Sequence, residues 1–196
     1  MRDEWGRSIH YLRLSVTDRC NLRCRYCMPE GVASCEHADV LTYEEFLRLA
    51  RLFAACGVDT VRVTGGEPLV RREVHKLVAG LKQTPGIRRV ALTTNGVLLA
   101  EQLPDLLAAG LDSVNVSLDA LSPGVYRAIA GRDELEATRR GIRAALEDGL
   151  PVKLNCVPQP GLNETELLPL AALARQLPLQ VRFIEMMPIG CGAAQP

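Results

Sequence analysis

The sequence predicts an α/β fold, a parallel (β/α)6 partial TIM barrel, on three observations. Six short β-like runs alternate with helical apolar patterns, and such alternation is typical of βαβ units with a parallel sheet. Along these runs every second residue is apolar, whereas the residues between them are polar or charged. No stretch rich in Gly, Ser or Pro divides the 196 residues, a usual length for one domain.

Each element has a local signal. The predicted strands are residues 11–16, 60–64, 89–94, 113–118, 151–157 and 180–185. The predicted helices are residues 42–56, 71–83, 100–109, 134–148 and 163–177. The first helix has the clearest boundaries, because Thr42 and Glu45 are spaced as in a capping box and Gly57 follows its last turn.

The polar residues of the strands would face the interior if the sheet curls into a barrel. They are Arg13, Ser15, Arg62, Thr64, Thr93, Asn115, Ser117, Asp119, Lys153, Asn155 and Arg182. Unpaired buried charges are costly, and the inward acids are only Asp119 and Glu185. We therefore expect a phosphate- or carboxylate-bearing ligand inside the barrel, near the C-terminal strand ends. The alternative, in which each cation pairs with a buried carboxylate, needs more acids than this face supplies.

Composition excludes several functional classes. The formal net charge is zero, so no overall basic field indicates DNA binding. No apolar run reaches membrane-spanning length, and the first residues lack a signal-peptide pattern, so we expect a cytoplasmic protein without membrane partners. Seven cysteines, an odd number in a reducing compartment, indicate a metal or redox cofactor rather than a disulfide framework.

Three of these cysteines, Cys20, Cys24 and Cys27, lie in the segment "TDRCNLRCRYCMPEG", directly after the first predicted strand. Three thiolates without a fourth suit a [4Fe–4S] cluster that leaves one iron open. A closed zinc site wants four ligands, and Cys35 or His37 is a possible fourth. The spacing alone leaves both options open.

The C-x3-C-x2-C spacing, with Tyr26 before the last cysteine, resembles the radical S-adenosylmethionine (radical SAM) superfamily. The segment "TGGEPLVRR" (64–72) is similar to the superfamily's glycine-rich cofactor-binding segment, where glycine lets the backbone approach a ligand closely. With "ALTTNGVLLA", "LDSVNVSLDAL", "VKLNCV" and "VRFIEMMPIG", the chain resembles the GTP 3′,8-cyclase family of molybdenum cofactor biosynthesis over essentially its whole length.

The resemblance implies a lyase that converts GTP to (8S)-3′,8-cyclo-7,8-dihydroguanosine 5′-triphosphate in molybdopterin biosynthesis. It implies a [4Fe–4S] cluster on Cys20, Cys24 and Cys27, and S-adenosylmethionine at four positions: Tyr26, Gly66, Ser117 and Met187. It places GTP at Arg13, Arg62, Thr93 and Lys153, with Arg182 as a further cation for the triphosphate. At Thr60 the chain departs from the family, which often has a basic residue there.

The same resemblance implies a low-potential electron donor, a downstream cyclic pyranopterin monophosphate synthase and a possible homodimer. Family members continue beyond this chain with a second three-cysteine cluster, so we expect residues 1–196 to form the radical SAM core domain without that auxiliary-cluster domain, and with impaired activity. Two alternatives remain: another short radical SAM enzyme acting on a phosphorylated substrate, and a non-catalytic iron–sulfur or zinc-binding module. Cys56 and Cys156 are expected to be core thiols.

Overall fold

The computed structural model describes residues 2–28 and 39–187. Its strands are β1 Tyr11–Ser15, β2 Thr60–Thr64, β3 Arg89–Thr94, β4 Ser113–Ser117, β5 Val152–Cys156 and β6 Leu179–Phe183. Its helices are α1 Tyr43–Ala55, α2 Val74–Lys82, α3 Leu99–Ala108, α4 Pro123–Ala130, α5 Leu135–Glu147 and α6 Glu164–Gln176. The strands form one parallel sheet in the order β1-β2-β3-β4-β5-β6. This topology confirms the predicted α/β class and brings all the C-terminal strand ends to one edge.

The helix predictions hold except in two places. Thr42 Oγ1 accepts a hydrogen bond from the Glu45 amide, and the Glu45 carboxylate accepts one from the Thr42 amide, so the predicted capping box starts α1. The second helix begins at Val74 rather than at residue 71, because Arg71 is extended after a short 3₁₀ turn and Glu73 has a left-handed backbone with a φ of 57°. The second difference is α4, which the sequence analysis did not predict.

Helix α4 is short, and its apolar pattern covers only eight residues. Two end signals nevertheless mark it. Pro123 is its first residue, where a missing N–H costs nothing. Gly131, just past its end, has a φ of 69°, a left-handed conformation typical of a helix C-terminus.

The two faces of the sheet differ as the alternating pattern predicts. The face that packs against the helices is apolar, and in the central strands it is fully buried, with residues such as Val61, Val90, Leu92, Val114 and Leu154. The opposite face carries the polar and charged side chains, and we call the space that it lines the bore. In the described part of the chain, no helix is both long and apolar enough to cross a membrane.

Candidate functional site

Residues 17–28, which we call the cysteine loop, follow β1 and dock against the segment after β2. The Gly66 amide donates to the Thr17 carbonyl oxygen at 2.7 Å, and the Glu67 amide donates to the Arg19 carbonyl oxygen at 2.8 Å. A Cβ atom at position 66 would lie 2.4 Å from the Arg19 carbonyl oxygen. Glycine is therefore required here for the close approach of two backbones.

The other side of the cysteine loop docks against the end of α4. The amide of Arg23 donates to the carbonyl oxygen of Ala130 at 2.8 Å, and the amide of Arg25 donates to that of Ile129 at 3.1 Å. A Cβ atom at Gly131 would lie 2.6 Å from the Arg23 carbonyl oxygen. The unpredicted helix thus gives the cysteine loop a second docking contact, in addition to the one with the glycine-rich segment.

Glu67 connects the glycine-rich segment to the end of β3, and its side chain is only 1% exposed. Its carboxylate accepts hydrogen bonds from the Leu69 amide (2.9 Å), the Thr94 hydroxyl (2.7 Å) and the Asn95 amide (2.6 Å). Burial raises the pKa of Glu67, and these three hydrogen bonds oppose that rise. Glu67 lies within the segment "TGGEPLVRR", but the sequence alone predicts no role for it.

The three predicted cluster ligands line one cavity of ≈ 270 Å³. Cys20 and Cys24 are partly buried and Cys27 is exposed. Burial raises the pKa of Cys24 to about 12, with further contributions from Asp119 and the two neighbouring thiols. Within residues 2–28 and 39–187, no three Cys, His, Asp or Glu side chains are close enough together to hold a metal ion.

The donor set nevertheless fits an iron–sulfur cluster. Thiols with raised pKa values are protonated at neutral pH in the absence of a cation, and a bound metal displaces those protons. Three sulfur donors line one cavity, and among its described lining residues the one carboxylate or imidazole is Glu67, which already accepts three hydrogen bonds. This set matches cluster chemistry better than a hard cation site. Cys35, His37 and Cys191 lie outside the described residues.

The cavity also brings three of the four predicted S-adenosylmethionine contacts together. Tyr26, Gly66 and Ser117 line it with the cysteines, whereas Met187, 66% exposed at the end of the described chain, does not. Ile184, just after β6, lines the same cavity as Cys20, just after β1. The sheet therefore curls far enough to bring its first and last strands around one space, as the partial-barrel prediction requires.

Tyr26 is held by a buried acid that the sequence analysis considered as a partner for the cations. Its hydroxyl donates to Asp119 Oδ2 at 2.9 Å, and the Val157 amide donates to Asp119 Oδ1 at 2.8 Å. Asp119 is 7% exposed, and burial raises its pKa. Asp119 thus positions an aromatic side chain beside the cysteines and forms no ion pair with any described residue, while Glu185 is exposed.

The predicted substrate contacts lie along the bore. Thr93 lines the cavity, and Arg62 Nη1 lies 3.3 Å from its hydroxyl oxygen. Arg13 is exposed and is the register partner of Arg62, and Arg182 is exposed opposite Asn155. Desolvation lowers the pKa of Lys153, and nearby Arg182, Arg62 and Arg89 lower it further. Across the described ranges, the predicted cations Arg13, Arg62, Lys153 and Arg182 form no ion pair with a carboxylate.

Two buried oxygen atoms on the same face also lack hydrogen-bond partners among the described residues. Asn115 Oδ1 and Asn155 Oδ1 accept no hydrogen bond from any described group. In the sheet register Asn115 lies between Thr93 and Lys153, and Asn155 lies beside Ser117. Buried acceptors are rarely left unpaired, so this face is suited to a ligand with hydroxyl or amine donors. The alternation of polar and apolar residues along the strands predicted both residues on the inner face, but it indicated no role for either.

Of the two remaining cysteine predictions, one is confirmed and the other is wrong. Cys156 is buried as predicted, and its thiol points toward the Asp119 carbonyl oxygen at 3.8 Å. The prediction for Cys56 was wrong, because this residue is exposed. It is the C-cap of α1, past the last apolar turn of the helix, so the apolar periodicity of that helix does not extend to it.

Proteins of known function resemble most of this chain. GTP 3′,8-cyclase of Moorella thermoacetica is 52% identical over 196 residues, which are 99% of this chain and 61% of that protein. Molybdenum cofactor biosynthesis protein 1 of Bos taurus is 53% identical over 190 residues, 96% of this chain and 30% of that protein. The chain thus spans less than two thirds of the length of these relatives.

A solved structure and a family model also match this chain. The crystal structure of HydG, a maturase of the [FeFe]-hydrogenase, has a TM-score of 0.74 at 17% identity, covering 95% of this chain and 45% of that one. This likeness concerns the fold, and it agrees with the partial barrel. The radical SAM superfamily model matches residues 14–174. The chain therefore belongs to the radical SAM superfamily, whose cofactors are a [4Fe–4S] cluster and S-adenosylmethionine.

Proposed function

We propose that this chain is the radical-generating core of a GTP 3′,8-cyclase, a lyase that starts molybdopterin biosynthesis. The observation that carries the proposal is the continuity of two features: a cavity lined by three cysteines, and a bore whose predicted cations form no ion pair with any described carboxylate. The first suits the superfamily's cofactors, and the second suits a polyanionic substrate beside them. The identity to GTP 3′,8-cyclases supports GTP as that substrate.

In this proposal Cys20, Cys24 and Cys27 hold the cluster. The cluster and S-adenosylmethionine together supply the one-electron chemistry that removes a hydrogen atom from C3′ of GTP, with electrons from a low-potential donor. That chemistry needs reduced thiols, which suits the predicted cytoplasmic location.

The chain's own residues position the reactants and exclude water. Tyr26, fixed by Asp119, forms one wall of the cofactor cavity. Arg13, Arg62, Lys153 and Arg182 bind the triphosphate, which offsets the repulsion among them. Thr93 and the unpaired oxygens of Asn115 and Asn155 bind hydroxyl or amine groups of the ligands. A fixed geometry matters because a radical needs its target hydrogen close and competing donors absent.

An anaerobic assay tests the proposal. The reconstituted chain is incubated with S-adenosylmethionine, a strong reductant and GTP, and 5′-deoxyadenosine and cyclised GTP are measured by mass spectrometry. We expect 5′-deoxyadenosine, formed faster with GTP than with ATP, CTP or UTP. Indifference to the nucleotide would favour another phosphorylated substrate, and a colourless protein with one zinc and no labile sulfide would favour a zinc module.

A matched pair of cysteine variants tests the ligand assignment. Cys24→Ala should abolish formation of 5′-deoxyadenosine, because a cluster without its third ligand cannot present one stable open iron. Cys56→Ala should leave the rate unchanged, because Cys56 is exposed at the end of α1 and does not line the cavity. Cleavage retained in the Cys24 variant would refute the assignment.

A further inference from the structure

A further arginine, Arg89, faces the bore. It is the first residue of β3 and has the same parity as Ala91 and Thr93, so its side chain leaves the strand on the bore side. In the sheet register Arg89 lies beside Thr60. Two residues further along the same strands, Arg62 lies beside Ala91. Arg89 therefore extends the series of inner-face cations toward the N-terminal ends of the strands.

The electrostatics place Arg89 in the same group as the predicted phosphate-binding cations. The pKa of Lys153 is lowered first by desolvation and then by Arg182, Arg62 and Arg89. In the part of the chain that the structure describes, Arg89 forms no ion pair with a carboxylate. The preceding residue, Arg88, has the opposite parity and pairs with Asp59.

Arg89 lies farther along the bore from the cysteine cavity than Thr93 does. It precedes Thr93 by four residues, which is about 13 Å along a strand. Thr93 lines the cavity that contains the three cysteines, and Arg89 does not. A nucleotide with its sugar near Thr93 would direct its phosphate chain away from the cysteines, past Arg62 and Lys153, toward Arg89. The phosphate farthest from the sugar would then lie at Arg89.

We propose that Arg89 binds the terminal phosphate of the nucleoside triphosphate and thereby sets the preference for a triphosphate over a diphosphate. The orientation of the nucleotide rests on the proposed function. The anion site itself does not, because the cations form it whichever base is attached. An exposed guanidinium can bind a phosphate with two parallel hydrogen bonds, which neither Thr60 nor Ala91 beside it can supply.

Calorimetric titration of the full chain with four anions tests this: tripolyphosphate, pyrophosphate, GTP and GDP. Arg89→Gln should weaken tripolyphosphate and GTP binding about tenfold and leave pyrophosphate and GDP binding within about twofold. Arg89→Lys, which keeps the charge but not the pair of parallel donors, should recover only part of the lost affinity. Arg88→Gln is the matched control, because it removes the adjacent arginine on the opposite face and should change none of the four affinities.

Three results with the variants would overturn the proposal. They are equal losses for triphosphate and diphosphate ligands in Arg89→Gln, no loss at all, and an equal loss in Arg88→Gln. Tripolyphosphate, which has no base, separates this proposal from the function. If the selective loss occurs with tripolyphosphate but the chain binds GTP no better than ATP, Arg89 keeps its role and the assignment of GTP fails. If the unaltered chain does not bind tripolyphosphate, the assignment of Arg89 fails.

Discussion

Asp119 shows how one buried side chain can organise the cavity that the three cysteines line. Both of its carboxylate oxygens accept a hydrogen bond, from Tyr26 and from the Val157 amide, and its carbonyl oxygen accepts one from Asn163. These contacts join the cysteine loop to the ends of β4 and β5. Sequence parity placed Asp119 on the inner face but could not identify its partner, because Tyr26 is 93 residues away along the chain.

The raised pKa of Asp119 gives a pH-dependent prediction. Its pKa in the folded state lies above the value of about 3.9 expected when unfolded. Its contribution to stability is therefore fully present below about pH 4 and is lost as the pH rises through the folded pKa. Asp119→Asn should remove this loss, because an amide can accept from Val157 and donate to the Tyr26 oxygen. Its unfolding free energy should therefore rise relative to wild type as the pH increases.

Urea unfolding of both proteins from about pH 4 to about pH 8 measures that difference. A difference that stays constant over this range would contradict the prediction. A Tyr26→Phe variant provides the control for the hydrogen bond itself, since it leaves the carboxylate buried and should retain the pH dependence.

Glu67 supports a second prediction about a single residue. Glu67→Gln replaces one acceptor oxygen with an NH₂ group, while three donors still point at the side chain. At least one buried donor would lose its partner, which should lower the unfolding free energy by about 1–3 kcal/mol. Denaturant titration measures the loss. Glu101→Gln, the same change at an exposed residue of α3, should cost less than about 0.5 kcal/mol.

At the scale of elements, the position of the cysteine loop depends on two glycines with different partners. Gly66 allows the contact with the glycine-rich segment, and Gly131 allows the contact with the end of α4. The first contact lies within a motif that the sequence showed. The second depends on a helix whose eight residues carry too little apolar periodicity to be recognised, although its proline start and glycine end were visible.

Gly131 and Gly149 form a matched pair for testing this docking. Both have left-handed backbones, with φ values of 69° and 70°, so alanine at either position costs about 1 kcal/mol in conformational strain. Only at Gly131 would the added Cβ also collide with a backbone atom, the Arg23 carbonyl oxygen at 2.6 Å, whereas nothing lies within 4 Å at Gly149. Gly131→Ala should therefore lose more unfolding free energy than Gly149→Ala and speed hydrogen exchange at the Arg23 amide. Equal losses, with unchanged exchange, would show that the docking contact is unimportant.

For the whole molecule, the sequence predicted the parallel sheet, the location of the cysteines and the polar lining of the bore. These follow from periodicity and spacing, which are local properties of the chain. It did not predict which polar side chains bind one another, because those pairs join distant loops: Glu67 with Asn95, and Tyr26 with Asp119. The sequence alone did not single out Arg89, since its role depends on the register between β2 and β3.

The cations of the bore lie close enough together for Arg182, Arg62 and Arg89 to lower the pKa of Lys153, and the phosphate site proposed for them leads to a prediction. Arg62 is partly buried among like charges, and its Nε donates to the Tyr11 hydroxyl at 2.5 Å. Arg62→Gln should weaken GTP binding about tenfold, because one charge-assisted contact to phosphate is lost. It should also reduce the dependence of that affinity on salt concentration, since fewer charges attract the polyanion.

The Tyr11→Phe variant distinguishes the effect of the Arg62 charge from the effect of the hydrogen bond that holds its side chain. This variant removes the hydroxyl that accepts from Arg62 but keeps the guanidinium, so both the GTP affinity and its salt dependence should stay close to wild type. Titration with GTP at several salt concentrations measures both quantities in all three proteins. Unchanged GTP affinity in Arg62→Gln, together with loss of S-adenosylmethionine cleavage, would contradict the assignment, because Arg62 would then act at the cofactor cavity rather than on the phosphates. A loss in Tyr11→Phe as large as that in Arg62→Gln would instead assign the effect to the geometry of the strand pair β1 and β2.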